Sequence, residues 1–189
     1  TFAGDASDLA GGGGAGLGGA IFGYQADVTV SNSTFTRNAV ARGNAGGAGA
    51  TNGADAGGAV FTVAGSLTLV NSTVAGNEST GAGAGVTVYK PTTGEATSFR
   101  LANTIIAGHA GRDACYTRNG VTSSGTNNLI TSSATDVQTP CPGIVATGDP
   151  QLGPLLLNAP GRTPTMSIPP ASPAVDAGDL ASAPLDDQR

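Results

Sequence analysis

The apolar residues of this chain fall in short clusters of alternating character, separated by Gly, Asn, Ser and Thr. Val28-x-Val30, Leu67-x-Leu69 and Phe99-x-Leu101 repeat with period two, the spacing of a strand with one face buried. Thr29, Thr68 and Arg100 fall between them and are expected to face outward. No segment keeps helical spacing of apolar residues over about 10–12 positions, so helix-based repeats drop out. Leucine-rich repeats go with them.

The clusters recur in register. Gly18-Gly19-Ala20-Ile21-Phe22 matches Gly57-Gly58-Ala59-Val60-Phe61, and Val28 to Asn38 matches Leu67 to Asn77, at a constant offset of 39 residues. The intervening stretch, 39–56, is mostly Gly, Ala and Asn. A looser third copy runs Gly85-Val86-Thr87-Val88 and then Phe99 to His109, with its insertion near 90–97 inside the unit. Gly120-Val121-Thr122 and Asn128-Leu129-Ile130 give a fourth, weaker echo. A unit of this length cannot bury its apolar face alone, whereas stacked copies can. Stacking puts Ile21, Val60 and Val86 in one column, Val30, Leu69 and Leu101 in a second, and Phe35, Val74 and Ile106 in a third. Asn32, Asn71 and Asn103 then line up at a turn, where side-chain amides can bond along the stack as a structural ladder. The expected architecture is all-β, a coil of about three short strands per turn.

Gly-Gly-Ala-Ile at 18–21 followed by Phe35-x-x-Asn38 resembles the repeats of the polymorphic outer-membrane proteins, known from chlamydial autotransporters. The second unit has Val74-x-x-Asn77 and the third Ile106-x-x-His109 in the place of Phe-x-x-Asn. Asp149-Pro150-Gln151-Leu152-Gly153-Pro154-Leu155, Arg162-Thr163-Pro164-Thr165 and Ser172-Pro173-Ala174-Val175-Asp176-Ala177-Gly178-Asp179 resemble the closing segment of secreted bacterial choice-of-anchor or CSLREA-domain proteins. The Cys-containing segment ending at Ile130 resembles theirs too, and together the similarity covers about residues 16–189. It implies a right-handed single-stranded parallel β-helix, export, and a place at the bacterial cell surface. The CSLREA segment is missing and relatives continue beyond Arg189, so a trimmed piece of a longer precursor is expected. The expected organisation is a body of β-helix repeats over 1–140, with units near 18–38, 57–77, 83–109 and 111–134 and Gly/Ala-rich loop insertions. A proline-rich, irregular capping segment over 141–189 completes it.

Composition narrows the function classes. Glycine reaches 31 of 189 residues without a three-residue period, which excludes collagen. A net charge of −5 with dispersed cations excludes a nucleic-acid partner, which demands a basic stripe. No apolar run approaches the ~20 residues of a membrane-spanning helix, so membrane insertion is not expected. Cys115 and Cys141 are too few for a zinc site and do not have redox-motif spacing. A disulfide between them would stabilise by about 3 kcal/mol and point to an oxidising compartment. Two free thiols are the alternative.

The chemistry-bearing residues are sparse. His109, the single histidine, shares its register with Asn38 and Asn77, so a place in a turn ladder is favoured over catalysis or metal binding. Asp176, Asp179, Asp186 and Asp187, with Asp149 upstream, are the one group that could offer oxygens to calcium; turn and cap formation is the plainer reading. Asp27, Asp55, Glu78 and Glu95 stand apart, and Asp113 beside Arg112 reads as a solvated contact rather than the paired carboxylates of a glycosidase. Five Phe and three Tyr give no evident sugar-stacking platform, although Tyr24, Tyr89 and Tyr116 fall near turns. No catalytic, cofactor-binding or metal residues are therefore assigned.

The expectation is a secreted or cell-surface structural or interaction module, adhesive or self-assembling, with the insertions at 39–56 and 90–97 as contact loops. Its expected partners are further copies, neighbouring surface proteins or an extracellular polysaccharide. The alternatives are a polysaccharide lyase or hydrolase and a passive glycan-binding module.

Overall fold

The computed structural model describes residues 11–92, 94, 96–110, 113–135 and 140–185. Among these the protein is all-β, with one short 3-10 turn at Leu180–Ser182. Most strands belong to three separate parallel sheets. Sheet I stacks Ile21–Tyr24, Val60–Val63, Val86–Tyr89, Cys115–Arg118 and Ser133–Thr135. Sheet II stacks Asp27–Ser31, Ser66–Val70, Ser98–Ala102 and Thr122–Thr126. Sheet III stacks Thr34–Thr36, Thr73–Ala75, Ile105–Ala107, Asn128–Ile130 and Ile144–Ala146. The chain visits I, II and III in turn, and one such circuit is called a rung below.

The sequence columns are the observed register. Ile21 pairs with Val60, Val60 with Val86, and Val86 with Cys115. Val30, Leu69 and Leu101 are aligned in sheet II, and Phe35, Val74 and Ile106 in sheet III. Val60, Leu67, Leu69, Val74, Val86, Phe99, Leu101 and Ile106 have no exposed surface. Each such side chain contributes about 1.5–3 kcal/mol through burial. Thr29, Thr68 and Arg100 share a rung-to-rung column on the opposite face of sheet II, as period two requires. On the first rung Ile21, Val28, Val30 and Phe35 are only partly buried.

Many of the corners are turned by a residue in the left-handed region. Between sheets II and III it is Asn32 (φ 48°), Asn71 (φ 49°), Asn103 (φ 50°) and Asn127 (φ 55°). Asn tolerates this conformation better than most L-residues. Beyond sheet III, Arg37 (φ 59°) stands where the next rungs have Gly76 and Gly108.

The fourth rung differs from the sequence reading. Gly120-Val121-Thr122 is not its sheet I strand; Cys115–Arg118 is, and Thr122–Thr126 belongs to sheet II. The inward column of sheet II there holds Ser123 and Gly125 opposite Phe99 and Leu101. A Cβ on Gly125 would run into the Leu101 carbonyl oxygen, so backbone approach replaces side-chain bulk. Cys141 is joined to Cys115 by a disulfide, and both are buried in this end of the core.

The Gly/Ala stretches also depart from expectation. The 39–56 insertion does not simply project, because its backbone bonds to residues 11–16 that precede the first rung. Gly13 N–H donates to Thr51 O (3.0 Å), Gly43 N–H to Gly14 O (2.8 Å), and Gly46 N–H to Gly11 O (2.9 Å). Gly16–Leu17 pairs in parallel with Asp55–Ala56. A Cβ on Gly13 would overlap the Gly43 carbonyl, which explains why these segments are written in glycine.

The C-terminal segment has two roles. Ile144–Ala146 adds a fifth strand to sheet III, and Leu155–Leu157 pairs antiparallel with Pro164–Met166. Farther on, the chain returns along the side of the stack to the asparagine corner.

Candidate functional site

At that corner the tail is fastened by side-chain amides. Asn103 Nδ2 donates to Asp179 O (2.8 Å) while Asp179 N–H donates to Asn103 Oδ1 (2.7 Å), and Asn127 Nδ2 donates to Ala177 O (2.7 Å). A groove of about 610 Å³ remains between corner and tail, with Asn71, Thr73, Asn103, Asn127, Asp176 and Leu180 in its walls. Asn32, Asn71 and Asn103 thus occupy one corner column, and the amide of Asn103 is spent on the tail. Asn127, the fourth residue of the column, lies one position before the Asn128 that the sequence echo singled out.

A direct amide-to-amide pair occurs at the next corner. Asn38 N–H and Nδ2 both donate to Asn77 Oδ1 (3.0 and 2.9 Å), and Asn77 Nδ2 donates to the carbonyls of Phe35 and Ala75. His109 continues this column, its Nδ1 accepting from Asn77 N–H at 3.1 Å. The Asn77 carbonyl lies 3.3 Å from the same nitrogen. Donation from the N–H fits the neutral ring protonated on Nε2, which is the form burial favours. Burial pushes the imidazole below its usual pKa, and the backbone acceptors of Asn77 and Val74, which would favour a protonated ring, only partly offset this. One rung down, buried Asn128 accepts from Thr104 N–H (3.0 Å) and donates to the carbonyls of Leu101 and Pro142 (2.9 Å each).

Asp55 is a carboxylate sunk in the protein, 3% exposed. Its Oδ2 accepts from Thr80 N–H (2.7 Å), Thr80 Oγ1 (2.8 Å), Gly81 N–H (2.9 Å) and Ser79 Oγ (3.2 Å), and Arg42 lies 3.9 Å from Oδ1. Burial alone would raise its pKa, but the Thr80 hydroxyl and the Gly81 and Thr80 amides outweigh it and hold the carboxyl below its ordinary value. The residue clasps the loop after Asn77. Its burial had no signal in the sequence beyond the Gly/Ala surroundings.

Asp149, Asp176 and Asp179 are turn and cap formers, and Asp27 bonds across to the next rung. Asp179 caps the 3-10 turn, accepting from Ala181 N–H and Ser182 Oγ; the Ser182 hydroxyl, then the Ala181 amide, lower its pKa. Asp149 Oδ1 accepts from Gln151 N–H, and Asp27 Oδ1 from Ser66 Oγ. Asp176 adopts φ 55° in a turn. Asp186, Asp187, Glu95 and Arg112 lie outside the described residues. Among the described residues, no group of three or more His, Cys, Asp and Glu could hold a metal ion.

The aromatic residues are where the structure adds most. All three tyrosines and two phenylalanines lie on the outer face of sheet I, in two adjacent columns. One column is Phe22, Phe61, Thr87 and Tyr116; the other is Tyr24, Val63, Tyr89 and Arg118. Phe22 and Phe61 stack with centroids 5.8 Å apart and planes 5° from parallel. The Arg118 guanidinium carbon lies 5.2 Å from the centroid of the Tyr89 ring. Phe22 and Tyr24 are 52% and 61% exposed, whereas backbone near Gly57 and Gly83 lies against the Phe61–Tyr116 column. The signal was present in the alternation: each of these aromatics sits one position out of phase with a core residue.

No family model, curated protein or solved structure matches the chain. Fold and site geometry define an all-β protein of stacked parallel strands closed by one disulfide.

Proposed function

We propose that the chain is a right-handed single-stranded parallel β-helix that serves as a non-catalytic structural and interaction module outside the bacterial cell, at the cell surface or secreted. The single observation that carries this reading is the column register held over four rungs, from Ile21 through Val60 and Val86 to Cys115. Parallel crossovers are right-handed in nearly all proteins, which supplies the handedness. The disulfide supports an oxidising environment. Among the described residues no helix is long and apolar enough to cross a membrane.

The buried polar side chains support a scaffold rather than a reaction centre. Asn77, Asn128 and Asp55 are each committed to holding backbone groups. The half-buried first rung favours stacking of a second copy on that end, which is the self-assembling form of the same role. The test is incubation with a panel of acidic and neutral polysaccharides, with and without calcium, followed by product analysis. Intact substrates are expected. Shortened products, lost on Asp113→Asn or Asp179→Asn, would establish the polysaccharide lyase or hydrolase alternative. Size-exclusion chromatography at high concentration should show species larger than the monomer, and a monomer alone removes the assembly form.

A further inference from the structure

We infer that the groove between the asparagine corner and the tail is a docking site for an extended, basic peptide of a partner protein, held by its backbone at Asn71. This rests on the reading of the chain as an interaction module, and it names the partner's chemistry.

The protein already carries a template for the contact. Asn103 holds one extended residue, Asp179 (φ −105°, ψ 115°), by both of its backbone groups. The amide Nδ2 donates to Asp179 O at 2.8 Å, and Asp179 N–H donates to Oδ1 at 2.7 Å. A side-chain amide sets a donor beside an acceptor as a peptide unit does, so it stands in for one step of a strand edge. On the next rung Asn127 takes Ala177, two residues back along the tail. Alternate residues of an extended chain face the same way, so the corner meets every second residue.

Asn71 is the neighbour of Asn103 on the other side. Its backbone (φ 49°) matches that of Asn103 (φ 50°), and the residues just before them, Val70 and Ala102, are paired in register. The tail turns off at Leu180–Ser182 without bonding to it. Among the described residues the Asn71 side-chain amide has no hydrogen-bond partner, and it is only partly buried. The 610 Å³ groove opens at this point, a volume within the roughly 300–1,000 Å³ of binding clefts. Thr73 and Ile105, register partners on sheet III and both partly exposed, line it beside Asn71. They offer a hydroxyl and an apolar surface to the side chains that flank the held residue.

Charge sets the sign of the partner. Asp176 and Asp179 bring two carboxylates to the groove, and among the described residues no Lys or Arg lines it. Asp176 is exposed. On a chain of net charge −5, this rim repels an acidic segment and draws in one with Lys or Arg near the held residue.

The test is calorimetric titration of the oxidised protein with two end-blocked peptides, Ala-Lys-Ala-Val-Ala-Lys-Ala and its counterpart with Glu in place of Lys. The basic peptide should bind, less tightly as salt is raised, and the acidic one should not. Methylating the central backbone nitrogens of the basic peptide removes the N–H that Asn71 Oδ1 accepts. That change and Asn71→Gly should each weaken binding about tenfold, the loss expected for one or two neutral hydrogen bonds. Glycine keeps the left-handed backbone, so the variant folds, which a thermal melt verifies. Asp176→Asn should narrow the gap between the two peptides. Thr29→Ala, on the outer face of sheet II, should leave binding unchanged. No binding at millimolar peptide, full affinity for the methylated peptide or in Asn71→Gly, or equal affinity for the acidic peptide overturns the inference. Those results leave the non-catalytic reading standing, because that reading fails only on turnover.

Discussion

Replacing Asn128 with Asp changes almost no volume but reverses one side of a buried hydrogen-bond set. Asn128 has no exposed surface; its Oδ1 accepts from Thr104 N–H, and its Nδ2 donates to Leu101 O and Pro142 O. In Asn128→Asp the first bond survives, while an oxygen faces two carbonyl oxygens. Ionised, that oxygen is buried and repelled, so the carboxyl pKa in the folded state rises well above its unfolded value of about 3.9. Protonated, it can donate to one carbonyl and loses only one bond, about 1 kcal/mol. Each unit by which the folded pKa is raised removes a further ~1.4 kcal/mol once pH exceeds that pKa. A rise of about two units gives a total loss near 4 kcal/mol at pH 8. The sign follows from linkage. A raised folded pKa means that the variant is at its best below about pH 4 and loses stability as pH climbs toward the folded value. Urea unfolding of the oxidised wild type and variant at pH 4.5, 6 and 8 measures the gap. A gap that stays constant with pH, or that is below about 1 kcal/mol at pH 8, would refute the assignment of Asn128 as the donor to both carbonyls.

Four further outcomes are expected. Leu69→Ala should cost about 2–5 kcal/mol as a core truncation, and Thr68→Ala well under 1 kcal/mol, by chemical denaturation. Arg37→Gly should stabilise by about 1 kcal/mol in the same assay, because φ 59° suits glycine, as at Gly76 and Gly108 below it. Burial lowers the pKa of His109 in the folded state, so stability is fully present above the unfolded value of 6.5 and is lost as pH falls below it. His109→Asn, the residue type of the two rungs above, should flatten that acid limb in thermal melts. Reducing the Cys115–Cys141 bridge, which spans 26 positions, should cost about 3 kcal/mol, measured by urea midpoint with and without reductant.

How much of this was readable from residues alone depends on where the core is made of side chains. The first three rungs carry mainly Ile, Val, Leu and Phe at inward positions, so the alternation marks their core residues, and the 39-residue offset names the partners of the first two directly. The fourth rung is held differently. Ser123 and Gly125 stand inward in place of Leu and Phe, and the strand Cys115–Arg118 offers Cys115 and Thr117 as its inward residues. A hydrophobic pattern has nothing to report there. The Gly/Ala segments fail for the same reason, since their contacts are between backbones and glycine carries no directional mark. The asparagine corner was legible as a column, but its union with Asp179 joins residues 76 positions apart with no shared pattern. The aromatic face was legible in principle by phase. Counting aromatics without asking which way each one points concealed it.

A stack pinned covalently at one end gives the protein a direction. Each rung is supported chiefly by its neighbours, so opening is decided locally and spreads along one axis. The disulfide bolts the Cys115 rung to the segment that follows, while the Ile21 rung keeps its interior half-wet. Fraying therefore begins at Ile21 and travels toward Cys115, and amide exchange slows along the same path. Under tension the molecule yields from the first rung and holds at the last.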